Sequence, residues 1–166
     1  MESDKISIES EAKRIEEDAL YSSKGHFCAG ARWNGVNLWL GIISTIFSAI
    51  AGASALSQFD SHNIVAGVLA IFVAVFSALI TFINPNEKAS NHKNAGNRFN
   101  ALRNDVRLFH QVELEKIILD KAIVQLKKFN DRRNKLNLDS PQIPRWAFVK
   151  ARKGIEEGES EYRVDR

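Results

Sequence analysis

No charged side chain occurs in residues 33–59 or 61–86, although 26% of the 166 residues are charged. Such an absence excludes an ordinary water-facing helix. Within these stretches residues 36–56 and 64–83, 21 and 20 long, match the ~20 apolar residues needed to cross a hydrocarbon core of ~30 Å. Cysteine is nearly absent: Cys28 stands alone, so no intrachain disulfide and no all-cysteine metal site can form. Residues 86–136 contain no proline and one glycine, Gly96, which leaves that stretch free to be helical. Catalytic patterns are missing as well. His26, His62, His92 and His110 are scattered, with no HExxH pair and no cysteine/histidine ligand spacing. There is no GxxxxGK[ST] phosphate loop and no GxSxG elbow. A non-enzyme without cofactor or metal is the expectation. The opening residues include Glu2 and Asp4, unlike the basic start of a cleaved secretory signal, so no processing is expected.

What is present is a pair of unequal spans. Val, Ile, Leu and Phe number nine in the first and thirteen in the second, contributing about −3 to −5 and −4 to −8 kcal/mol to insertion. Lys24 and Arg32 precede the first span, Lys88, Lys93, Arg98 and Arg103 follow the second, and residues 57–63 between them carry no lysine or arginine. By the positive-inside rule this is a hairpin with both termini in the cytoplasm. Trp33 and Trp39 suit the interfacial aromatic belt.

Small and hydroxylated residues recur at helical spacing on both spans. Asn37, Gly41, Ser44, Ser48, Gly52 and Ala55 share a face of the first; Ala66, Ala70, Ala74, Ser77 and Thr81 share a face of the second. These stripes are either a weakly polar lining that becomes wet when several hairpins assemble, or the packing surface of one helix on its partner. No ionisable residue interrupts either run, so a proton relay or counter-ion site has no support.

The flanks read as helices. Ile8, Ala12, Ile15 and Ala19 give an amphipathic segment whose opposite face holds Glu9, Lys13, Glu16 and Glu17. Asn84, Pro85 and Glu87 occupy N-cap, first-turn and back-bonding positions, so a new helix should start there, kinked from the span. His92, Phe99 and Val106 recur every seven residues, with Ala95, Leu102 and Phe109 offset by three, a short coiled-coil-like seam. The N-terminal helix, a folded-back second half or other subunits could cover it. Helical patterning continues through Leu119, Ala122, Ile123 and Leu126 to about Leu136, before Pro141 and Pro144.

Charge is uneven, net −3 in residues 1–31 and net +6 in residues 84–166, with Arg32 and Asp60 cancelling. The densest basic cluster is Lys127, Lys128, Arg132, Arg133 and Lys135. Such a cluster would suit a nucleic acid, an anionic lipid or a cyclic nucleotide, but interleaving with Asp131 favours a solvated helix face, and nucleic acid is not an expected partner. Residues 145–153 mix Trp146, Phe148 and Val149 with Arg145, Lys150, Arg152 and Lys153; they could lie on a bilayer surface or pack on the preceding helices.

The order of amphipathic helix, Ala31-Arg32-Trp33 entry, small-residue-rich hairpin, Asn84-Pro85-Asn86-Glu87-Lys88-Ala89, then His92, Ala95, Phe99 and Leu102, resembles the SLATT domain family. The tail from Ser140 to Phe148 resembles a C-terminal extension of some of its subfamilies. The resemblance implies an all-α membrane protein with four parts. These are a cytosolic N-terminal helix (1–31), a transmembrane hairpin (32–84, spans 36–56 and 64–83), a cytosolic helical stalk (85–138) and a proline-containing extension (139–166). It also implies a pore-forming effector of bacterial anti-phage defence in the inner membrane. Such an effector would be activated by a nucleotide signal or an associated sensor and would oligomerise with copies of itself. Its partners would be the lipid bilayer, its own copies and a separate nucleotide-synthesising or sensor protein. No catalytic residue carries over. The rival is a membrane-anchored scaffold that recruits a soluble partner through its cytosolic helices.

Overall fold

A computed structural model describes residues 2–56, 62–162 and 164. The expected inter-span loop, with Asp60, falls largely at residues 57–61, outside the described residues. All regular elements among the described residues are helical: α1 (Glu2–Leu56), α2 (His62–Ile83), α3 (Pro85–Leu108), α4 (Leu119–Asp139) and α5 (Arg145–Glu156). A π turn, Phe109–Glu113, and a 3₁₀ turn, Leu114–Lys116, follow α3. The expected N-terminal helix and first span are thus one uninterrupted helix, since no proline and no cap intervenes. The helical stretch beyond Pro85 is two helices, parted where Ile117 and Ile118 take extended backbone angles.

The chain divides into two compact units, one made by the first thirty residues together with the chain from Ser90 onward, the other by Ala31–Ala89. In the first, the start of α1 packs with α3 and α4. Their directions follow from side-chain pairs. His110 meets Glu16 while His26 meets His92, so α1 and α3 are antiparallel. Arg132 pairs with Asp105 and Arg98 with Asp139, so α4 folds back antiparallel to α3. The core joins Ile8, Ala12, Ile15 and Ala19 of α1 to Phe99, Leu102, Val106 and Phe109, and to Ala122, Phe129 and Leu136 of α4. Phe109 and Phe129 meet edge to face at 5.4 Å. Each large side chain so buried contributes roughly 1.5–3 kcal/mol, whereas the exposed ion pairs contribute about 0–1 kcal/mol each. Packing therefore holds this unit, and the ion pairs fix its register. At Gly96 the approach is close enough that an added Cβ would lie 2.8 Å from the Phe27 ring. Helix α5 turns Ala147, Ala151 and Gly154 inward, and Phe148 meets Tyr21 of α1 at 6.1 Å.

In the second unit, half-buried side chains fall at alternating four- and three-residue steps on both helices, Leu40, Ser44, Phe47, Ala51 and Ser54 on α1 and Leu69, Val73, Phe76 and Ile80 on α2. Phe47 lies between Phe72 at 6.0 Å and Phe76 at 5.8 Å. Lys88 places its ammonium 4.6 Å from the centre of the Trp33 ring.

Asn84 serves two helices at once. Its N–H donates to the Ile80 carbonyl at 3.0 Å to close α2, and its Oδ1 accepts from the Glu87 N–H at 3.3 Å to cap α3. The Glu87 carboxylate bonds back to the Asn84 amide. The residue does this at φ 45°, left-handed backbone that asparagine and glycine tolerate better than other residues. Asn84→Ala should lose both cap and tolerance, at roughly 1–3 kcal/mol, while Asn84→Gly should lose a fraction of that. Thermal melts of the two variants in detergent would separate them, and equal midpoints would refute the dual role.

Candidate functional site

The apolar parts of α1 and α2 are long enough to cross a membrane, and no residue of either apolar window is buried within the chain. A core helix of a water-soluble protein would be covered. Here Leu38, Trp39, Ile46 and Ile50 on α1, and Ile64, Ile71 and Phe82 on α2, face outward, a contiguous oily surface that water would penalise at about 25 cal/mol per Å². Such a surface fits a membrane protein.

The two small-residue stripes fall differently on this hairpin. On α1, Asn37, Gly41 and Ser44 are half-buried beside the α2 contact, and Ser48 and Gly52 are exposed. On α2, Ala66 is half-buried, while Ala70, Ala74, Ser77 and Thr81 are exposed. The ring contacts between the helices centre on Phe47. A Cβ added at Gly41, Gly52 or Gly67 would meet nothing within 4 Å, so these glycines serve no close approach inside the chain. Two hydroxyls on the hairpin bond to their own helix: Thr45 donates to the Gly41 carbonyl at 2.8 Å and Thr81 to the Ser77 carbonyl at 2.9 Å.

In the other unit, every residue of the expected α3 seam, His92, Ala95, Phe99, Leu102, Val106 and Phe109, is buried. The N-terminal part of α1 and the folded-back α4 supply the cover. Sequence reasoning missed that this seam holds a polar pair. His26 and His92, 2% and 5% exposed, bring their Nδ1 atoms to 3.0 Å. One ring must donate its N–H to the lone pair of the other, so one neutral tautomer of each is selected. Burial and the neighbouring His92 push His26 down to about 4, and burial lowers His92. The Phe99 ring stacks on His26 at 5.6 Å. The available signal was register: His26 continues the stripe of Ile15 and Ala19, and His92 heads the α3 seam.

Further along the bundle, Glu16 of α1 accepts from the Nε2–H of the almost fully buried His110 ring at 2.7 Å, and Arg103 approaches Glu16 at 3.8 Å. Of the basic cluster, Arg132 pairs with Asp105 of α3 and Arg133 with Asp18 of α1 at 3.1 Å. These two arginines tie α4 to its neighbours. Lys127, Lys128 and Lys135 are exposed. Cys28 is half-buried.

A family model described as "SMODS and SLOG-associating 2TM effector domain family 4" matches residues 9–165. No curated protein and no solved structure matches the chain.

Proposed function

The chain belongs to the SMODS- and SLOG-associating two-transmembrane effector family, and from that premise we propose that it is a membrane-permeabilising effector of a bacterial conflict system. It acts by oligomerising in the inner membrane, with no catalytic group. Lys24 and Arg32 before the hairpin, and Lys88, Lys93 and Arg98 after it, favour both termini on the cytoplasmic side. A nucleotide signal, or a sensor that responds to one, acts on the charged helices and changes how copies associate.

The observation that carries this reading is the uncovered small-residue surface. Within one chain the hairpin packs through Phe47, Phe72 and Phe76, which leaves Ser48, Gly52, Ala70, Ala74, Ser77 and Thr81 outward. Lipid gains little from a stripe of glycine, alanine and serine, whereas a second helix gains close contact and interhelical hydrogen bonds. Copies gathered about an axis would bring Asn37, Ser44 and Ser48 toward a shared interior, where weakly polar groups admit water.

Leucine placed at Ser44 and Ser48 together should abolish dye or ion leak from liposomes and relieve growth arrest at equal expression. Unchanged leak overturns the lining. Replacing the hairpin by an unrelated two-span anchor separates this reading from a scaffold, because a scaffold keeps its activity and a pore former loses it.

A further inference from the structure

Among the described residues three buried polar atoms lack a hydrogen-bond partner: Arg103 Nε and the hydroxyls of Ser140 and Ser160. Two of the three, Arg103 Nε and the Ser160 hydroxyl, belong to residues that line one cavity of about 260 Å³. Arg103, Arg107 and Gln111 line it at successive four-residue steps, opposite Glu16 and residues 160–162. The π turn, closed by the Leu114 N–H on the Phe109 carbonyl, carries Gln111 at the end of that row. Tyr162 lays its ring over both guanidiniums, 4.4 Å from Arg107 and 5.6 Å from Arg103.

We propose that this cavity binds a phosphate monoester, its oxygens held by the Arg103 and Arg107 guanidiniums under the Tyr162 ring, with the Ser160 hydroxyl, buried in the cavity wall, rotating to meet it. The unmet groups are N–H and O–H donors, and a buried donor left unmade costs about 1–3 kcal/mol. They call for an acceptor. Glu16 does not supply it, because its carboxylate stands 3.8 Å from Arg103 Nε, beyond hydrogen-bond reach, and bonds His110 instead. A neutral acceptor would answer the hydroxyl but leave two guanidiniums around it uncompensated by the ligand. Phosphate presents several acceptor oxygens and negative charge at once, and the planar guanidinium fork matches it. The volume sets an upper size: it lies just below the ~300–1,000 Å³ of sites for drug-sized ligands, enough for a phosphate and a small substituent. Glu16 and Glu161 line the same cavity, so the ligand competes with carboxylates, and occupancy would be reversible. A ligand seated there bridges α1, α3 and the C-terminal segment. Its role as the activating signal rests on the function proposed above; its binding does not.

The test is calorimetric titration of the full-length chain in a neutral detergent with orthophosphate, adenosine 5′-monophosphate and glycerol 3-phosphate. Saturable binding of orthophosphate and of one ester is expected. Arg107→Ala should weaken it by about tenfold or more, and Arg107→Lys, which keeps charge but not the fork, by most of that. Melting midpoints equal to wild type show that these variants remain folded. Preference for the nucleotide assigns a soluble source, and preference for glycerol 3-phosphate a phosphatidate headgroup, whose phosphate is likewise a monoester. No saturable binding of any probe, or equal binding in Arg107→Ala, overturns the site. Liposome leak is read separately: leak without phosphate binding sinks this inference alone, and binding without leak sinks the pore reading alone.

Discussion

Acidification from neutrality toward pH 4 should destabilise the helical unit built around α3, through the buried His26–His92 pair. A histidine in the unfolded chain titrates near 6.5, whereas in the folded chain burial and the adjacent ring hold His26 to about 4. His92 is lowered in the same direction. Between those two values the unfolded chain takes up a proton that the folded chain refuses, so stability falls as pH falls. The slope approaches ~1.4 kcal/mol per pH unit for one such group and levels off below about 4 for His26. At neutral pH the full contribution is present. The structural reason is that the two Nδ1 atoms at 3.0 Å can share one proton but not hold two. The melting midpoint of the purified protein, followed against pH, should drop through this window. A variant carrying His26→Phe and His92→Leu should show a much flatter profile over the same range. A wild-type midpoint that stays level from pH 6.5 to pH 5 would mean that the pair is not held neutral and buried.

That pair also shows where the sequence stopped being legible. The seam on α3 could be read because its apolar residues recur every seven positions, and the α1 stripe because Ile8, Ala12, Ile15 and Ala19 alternate by four and three. Neither pattern says which stripe covers which. His26 and His92 are 66 positions apart, and nothing local couples them. The break between α3 and α4 was equally silent, since Ile117 and Ile118 turn the chain without glycine or proline; two adjacent β-branched residues are the only hint. The cap at Asn84 was legible because asparagine, proline and glutamate each have one preferred place at a helix start. The spans announced themselves by length, but not their contact. Small residues at regular spacing suggested a packing face or a lining; ring contacts centre on Phe47, Phe72 and Phe76, while Asn37, Gly41, Ser44 and Ala66 are half-buried and Ser48, Gly52, Ala70, Ala74, Ser77 and Thr81 are outward. In lipid the hydrophobic effect does not choose between an oily and a small face, so periodicity alone could not decide.

Truncating Phe99 to alanine should be the most damaging single change in the bundle, at about 3–5 kcal/mol. Phe99 is 2% exposed. It stacks on His26 and walls a cavity of about 270 Å³ lined also by Asn137 and Ile143, so the space it vacates would merge with one already present instead of closing. The lost ring would also open His26 to water and remove part of the burial that keeps it neutral, which should shrink the acid sensitivity along with the stability. Phe82 provides the contrast. It has the same side chain but is 91% exposed on α2. Phe82→Ala should leave the melting midpoint of the bundle unchanged and cost only about 0.3–0.6 kcal/mol of membrane insertion. Denaturation in detergent distinguishes the two substitutions directly. If Phe99→Ala melted with wild type, the α1–α3–α4 seam would not be what holds this unit together. If Phe82→Ala lowered the bundle midpoint as far as Phe99→Ala, α2 would be packed against protein, and the oily exterior of the hairpin would not be facing lipid.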